Sequence, residues 1–130
     1  MNRSPIKILL INDDPSVNHL NKLIIDLSPV EAKVSEHTKA KVALEELSTG
    51  QMDPELILLD INMPEMDGWD FAKSYHSLPQ DIRKSKIVIL TSSIHPGYKE
   101  KAESHQAIDG FFSKPLTIDS IQEITQTFLN

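Results

Sequence analysis

Four places in the sequence hold side chains that could do chemistry together: the run Asn12-Asp13-Asp14, then Asp60, Thr91 and Lys114. Carboxylates drawn from two separate segments make a hard oxygen site that suits Mg2+ better than a soft metal, because no His or Cys lies among them. Clustered carboxylates repel each other, and a divalent cation relieves that repulsion. A hydroxyl and an ammonium have no obvious work against bare carboxylates. They fit an anion with several oxygens, such as a phosphoryl group, arriving beside the metal. Each residue alone has an ordinary explanation: Asp60 as a turn residue, Asp13 and Asp14 as caps on the helix after them, Thr91 as loop polarity and Lys114 as a solvated lysine. Of the two neighbouring acids, Asp13 is expected to face the metal and Asp14 to cap the helix or lie in solvent.

These residues follow apolar runs. Ile8 to Ile11 is short and continuous, as a parallel strand buried on both faces should be, and it stops at Asn12. Leu56 to Leu59 carries the strongest strand signal and ends at Asp60; Lys86 to Leu90 ends at Thr91-Ser92-Ser93; Phe111-Phe112 comes just before Lys114. A weaker strand is expected around Ala32 to Glu36. Helical patterns fill the gaps. Pro15 suits a first helical position, and Val17, Leu20, Ile24 and Leu27 recur at spacings of three and four, predicting the apolar face of a helix that closes before Pro29. Ala40, Ala43, Leu44 and Leu47 line a second helix, with Gly50 as its left-handed cap. A loop from Ile61 to Asp67, closing at Gly68, leads to a third marked by Phe71, Ala72, Tyr75 and Leu78. Pro96 to about His105 is a polar fourth helix, and Ile121, Ile124 and Phe128 mark the last. Strict alternation over short connections implies right-handed crossovers and a five-stranded parallel sheet with helices on both faces, a doubly wound α/β domain. Ligands of such sheets bind outside the carboxyl ends of the strands, where the four places fall.

Length and composition narrow the options. The chain has 130 residues, 13 basic against 19 acidic side chains, a net charge of −6, no Cys and 39% hydrophobic content, which fits one domain over residues 1–130. At this length roughly two-thirds of the unfolded surface is buried on folding, so the core needs no disulfide or structural metal. The lack of Cys excludes disulfide scaffolds, thiolate zinc sites, iron–sulfur clusters and cysteine nucleophiles. The apolar stretch Ile6 to Ile11, broken by Lys7, is far too short for a secretory core or a membrane span, so a soluble, cytoplasmic protein with no membrane partner is expected. An acidic balance without a Lys/Arg cluster argues against direct nucleic-acid binding. The five histidines, at 19, 37, 76, 95 and 105, show no metal spacing and are expected at the surface, and Trp69 is expected to pack in or near the core.

The stretch Leu58-Leu59-Asp60-Ile61-Asn62-Met63-Pro64-Glu65-Met66-Asp67-Gly68 resembles the phosphoacceptor segment of response-regulator receiver domains, and Lys114-Pro115 after Phe111 resembles that family's Lys-Pro signature. The resemblance runs from Lys7 to Phe128, with the acidic turn, the aspartate, the hydroxyl and the lysine in family order. It implies a flavodoxin-like sheet of strand order 2-1-3-4-5, as in the chemotaxis receiver. It also implies Asp60 as the phosphorylated aspartate, Mg2+ held by Asp13, Asp60 and the Asn62 backbone carbonyl, and Thr91 and Lys114 against the phosphoryl oxygens. By the same resemblance Pro115 follows a cis bond that aims the lysine, and Phe111 is the switch aromatic that turns inward when Thr91 moves.

Two positions depart from the family pattern. Asn12 stands where the first of two paired acids is usual; its amide keeps an oxygen for a metal-bound water but removes one negative charge. Ala107 stands where a glycine usually ends the fourth helix. The implied function is a two-component signalling switch, not a turnover enzyme, which takes its phosphoryl group from a phosphohistidine on a sensor histidine kinase or histidine phosphotransfer protein and acts on a downstream protein. Alternatives are a phosphorelay intermediate or a receiver cut from a hybrid kinase. A haloacid-dehalogenase-type phosphatase needs a second aspartate where Asn62 stands. A flavodoxin needs a Ser/Thr/Gly-rich phosphate loop where Asn12-Asp13-Asp14 would repel phosphate. Only 15 residues follow Pro115, room for one helix, so no output domain is expected, and Met1 favours a stand-alone receiver.

Overall fold

A computed structural model describes residues 5–91 and 96–129. The strands are β1 (Ile6–Ile11), β2 (Ala32–His37), β3 (Leu56–Leu59), β4 (Lys86–Thr91) and β5 (Gly110–Ser113), and the helices α1 (Pro15–Leu27), α2 (Ala40–Ser48), α3 (Gly68–His76), α4 (Pro96–Ser104) and α5 (Ile118–Phe128). The strands form one parallel sheet in the order β2-β1-β3-β4-β5. Ser92, Ser93 and His95, considered from sequence, lie outside the described residues.

Period-two alternation sorts the strand residues onto two faces. Leu9, Ile11, Ile57, Leu59, Ile87 and Ile89 pack with Ala43 and Leu47 of α2, Phe71 and Tyr75 of α3 and Ala102 of α4. Ile8, Leu10, Leu56, Leu58, Val88 and Leu90 pack with Ile25 of α1 and with Ile121 and Ile124 of α5. Each such side chain contributes about 1.5–3 kcal/mol on full burial, which is why β1, β3 and β4 read as continuous apolar runs. β2 lies at the sheet edge and is polar on its outer positions, which explains its weak signal. Gly50, at φ 77°, does take the left-handed conformation after α2. No helix among the described residues is long and apolar enough to cross a membrane.

The face expected of α1 needs correcting. Its buried residues are Asn18, Asn21 and Ile25, while Leu20 and Leu27 are 52% and 73% exposed. Apolar residues occupy much of this helix's circumference, so spacing alone selected the wrong stripe. The amides face inward because this end of α1 covers the polar carboxyl end of β1.

The histidines also need correcting, for His37 and His105 are half-buried. His37 Nε2 lies 3.0 Å from Glu46 Oε1, tying β2 to α2. His105 stacks on Trp69, whose ring also meets Tyr98 edge-on, with Lys101 Nζ 4.6 Å from its centroid. Burial, then the charges of His76 and Lys101, hold the His105 imidazole below the usual histidine range. The folded state therefore binds fewer protons than the unfolded chain just below pH 6.5, so this contribution to stability is present above that pH and lost as pH falls toward the folded value. The thermal midpoint is expected to fall between pH 7.5 and 5.5 less steeply in His105→Gln than in the native protein; equal slopes would exclude His105 as a source.

Candidate functional site

The parallel register decides what meets at the carboxyl edge. Ile11 pairs with Leu59, Leu59 with Ile89, and Thr91 with Ser113, so Asn12, Asp60, Thr91 and Lys114 leave four neighbouring strands at nearly one level. The Asp60 N–H donates to the Ile11 carbonyl (3.0 Å), continuing the ladder one residue past β3. Its side chain then turns into the crevice and is only 8% exposed. The Lys114 ammonium approaches from the far side of β4, with Nζ 3.1 Å from Asp60 Oδ1. The Lys114 N–H donates to the Thr91 carbonyl (2.9 Å), the Lys114–Pro115 bond is cis, and Thr91 is buried.

The β3–α3 loop closes tightly under the aspartate. The Gly68 N–H donates to the Ile61 carbonyl (2.8 Å), and Asp67 caps α3 by accepting from the Asp70 N–H (2.8 Å). Glu65 sits at φ 68°, a left-handed conformation that a non-glycine residue seldom takes. Asn62 is exposed on this loop. Asp13 is also exposed, in a cleft it shares with Pro64, Glu65 and Met66. Phe111 is half-buried on β5, against the core that covers the α2, α3 and α4 side.

The acidic turn divides its work. Asn12 is buried, and its Oδ1 accepts the Asp14 N–H (2.9 Å). Asp14 caps α1, its carboxylate accepting from the Ser16 N–H (2.9 Å) and hydroxyl (2.6 Å). Those bonds, the hydroxyl first, hold the Asp14 carboxyl below the usual carboxylate range. Asp14 is thus engaged as a cap on α1. Among the described residues no three His, Cys, Asp or Glu side chains group as a metal set. The remaining donors, the carboxylates of Asp13 and Asp60 with the Asn62 carbonyl, are all hard oxygens and fit Mg2+ chemically. In water a unit charge pair at 4 Å is worth about 1 kcal/mol, so Asn12→Asp is expected to tighten Mg2+ binding at least about fivefold, read by Trp69 fluorescence. Unchanged affinity would show that the missing charge is immaterial.

Asn18 is the residue at this site that helical periodicity missed. Its Nδ2 donates to the Asn12 carbonyl (3.1 Å) and to the His37 carbonyl (3.0 Å), joining the carboxyl ends of β1 and β2. Two asparagines three residues apart inside a helix, unlikely choices for a purely apolar face, were the signal.

Comparison with known proteins agrees with this geometry. The response regulator receiver domain family matches residues 8–126. An uncharacterized response regulatory protein of Vibrio cholerae is 33% identical over 110 residues, covering 84% of this chain and 39% of that protein. The chain spans about two-fifths of the length of this and of the nitrate/nitrite response regulator NarL of Escherichia coli. A two-component response regulator from Cytophaga hutchinsonii superposes with a TM-score of 0.86 at 33% identity, covering 98% of this chain and 99% of that one. The receiver domain of a Pseudomonas aeruginosa sensor histidine kinase, solved with magnesium ion coordinated in the active site cleft, shares the fold with a TM-score of 0.80 at 19% identity, covering 97% and 98% of the two chains.

Proposed function

The chain belongs to the response regulator receiver domain family of two-component signalling, and from that membership we propose that it accepts a phosphoryl group on Asp60 and uses it as a signal. The observation that carries this is the Asp60 carboxylate, nearly buried at the carboxyl end of the central strand with the Lys114 ammonium 3.1 Å away. One Asp60 oxygen attacks phosphorus in line, forming the acyl–phosphate O–P bond as the donor's P–N or P–O bond breaks, and the departing imidazole or carboxylate keeps the bonding pair. Lys114 and the Thr91 hydroxyl hold the phosphoryl oxygens, offsetting charge that the attacking carboxylate cannot. Asp13, Asp60 and the Asn62 carbonyl would hold Mg2+, which when bound would supply further charge neutralisation. The chain's own acidic balance makes a protein a more fitting partner than a nucleic acid.

The donor is a phosphohistidine on a sensor histidine kinase or histidine phosphotransfer protein, and the domain is a switch, not a turnover enzyme. Withdrawal of Thr91 toward a phosphoryl group would open space for the Phe111 ring, which is already half-buried beside that core. Acetyl phosphate with Mg2+ is expected to add one phosphoryl group by intact mass, and EDTA to prevent it. Repeated release of phosphate from many equivalents of an unrelated monoester would instead mark a phosphatase.

A further inference from the structure

Beside the Asp60–Lys114 pair lies a small, partly open cavity of about 10 Å3, with Asn12, Asn18, Asn21, Asp60 and Lys114 as its polar lining and Leu and Ile side chains around the rest. A space of about that size holds a single water. Asn18 is 1% exposed. Both carbonyls that its Nδ2 serves are acceptors, which fixes which end of the amide is which. Its other end, Oδ1, is buried with no hydrogen-bond donor among the described residues. Leaving a buried amide oxygen unbonded costs about 1–3 kcal/mol, and a water placed there removes that cost.

We propose that this cavity binds one long-lived water that donates to Asn18 Oδ1 and accepts from the Lys114 ammonium, making Asn18 a positioning residue for Lys114. An ammonium has three donors and no acceptor. One serves Asp60 Oδ1; a water fixed on the α1 side uses a second and sets the direction of the third, toward the crevice. Asn18 itself is fixed by two backbone carbonyls on neighbouring strands, so the water's place is set by the sheet. The effect on reaction rate rests on the phosphoacceptor reading, whereas the water does not.

Water-selective nuclear Overhauser measurements on the unphosphorylated native protein are expected to show one long-lived water in contact with the Asn18 side-chain amide and the Lys114 Hε protons. In Asn18→Leu those contacts should vanish. The maximal rate of phosphoryl uptake from acetyl phosphate should fall about tenfold, the scale of lost outer support at a charged site. The acetyl phosphate and Mg2+ concentrations giving half-maximal rate should stay within twofold, which a general distortion of the crevice would not allow. No long-lived water at Asn18 in the native protein overturns the proposal, and it does so even where Asn18→Leu fails to fold. An unchanged maximal rate in folded Asn18→Leu overturns the positioning role. A native protein that shows the water but takes up no phosphoryl group supports the water site and overturns the phosphoacceptor reading alone.

Discussion

Asp60→Asn is expected to take up no phosphoryl group from acetyl phosphate and Mg2+ under conditions where the native protein gains one by intact mass. The substitution keeps the size and shape of the side chain, so β3 and its ladder to β1 should be undisturbed. What changes is the nucleophile. An amide oxygen carries no full charge and would form no stable acyl phosphate. The Lys114 ammonium would also lose its carboxylate partner at 3.1 Å. Among the described residues no other carboxylate combines burial in the crevice with an ion pair to Lys114: Asp13 is exposed, and Asp14 is bound up in the α1 cap. The expected loss is complete, and labelling of Asp60→Asn at the native level would move the acceptor elsewhere.

Gly68→Ala is expected to have the largest effect on stability. A Cβ at this position would stand 2.6 Å from the Asp60 carbonyl oxygen and 3.0 Å from Ile61 Cα, both backbone atoms that cannot step aside alone. Overpacking of this kind costs about 1–3 kcal/mol, a fall of roughly 5–10 °C in thermal midpoint for a domain of this size. The strain falls on the segment that carries the nucleophile. A misplacement of about 1 Å can slow a reaction about a hundredfold, so phosphoryl uptake should drop by at least about tenfold in the protein that remains folded. Gly110→Ala is the matched control. There the new Cβ meets the tip of the Phe128 ring at 2.5 Å, a side chain near the end of α5 that can turn away. It should lose less stability and keep its uptake rate within twofold. Equal damage from both substitutions would show that Gly68 matters only for packing.

Most of the fold was legible because the central strands are buried on both faces and therefore write uninterrupted apolar runs, each ended by a polar residue at the crevice. Leu56 to Leu59 followed by Asp60 is the clearest case, and the strand order expected from resemblance is the order found. α1 was legible in extent but not in orientation. With Leu20, Leu23 and Leu27 exposed and Asn18 and Asn21 buried, its inward face follows the polarity of the site it covers, which a periodicity of apolar residues cannot register. Asp14 was legible as a helix cap from its place just before α1, and it is one, whereas the N–H that the Asn12 side chain takes shows only in the hydrogen bonds. The partners of His37 and His105 come from α2 and α3, at sequence distances that local patterns do not reach.

The most direct test of the phosphoacceptor reading is to treat the phosphorylated protein with borohydride and map the product by peptide mass spectrometry. Hydride reduces an acyl phosphate at its carbonyl carbon, expelling phosphate and leaving the alcohol, so a phosphorylated aspartate becomes homoserine. The expected result is homoserine at position 60 alone, dependent on prior incubation with acetyl phosphate and Mg2+. Reduction at Asp13 or Asp14 with Asp60 intact would contradict the assignment, as would a phosphoryl group that survives borohydride on a Ser, Thr or His.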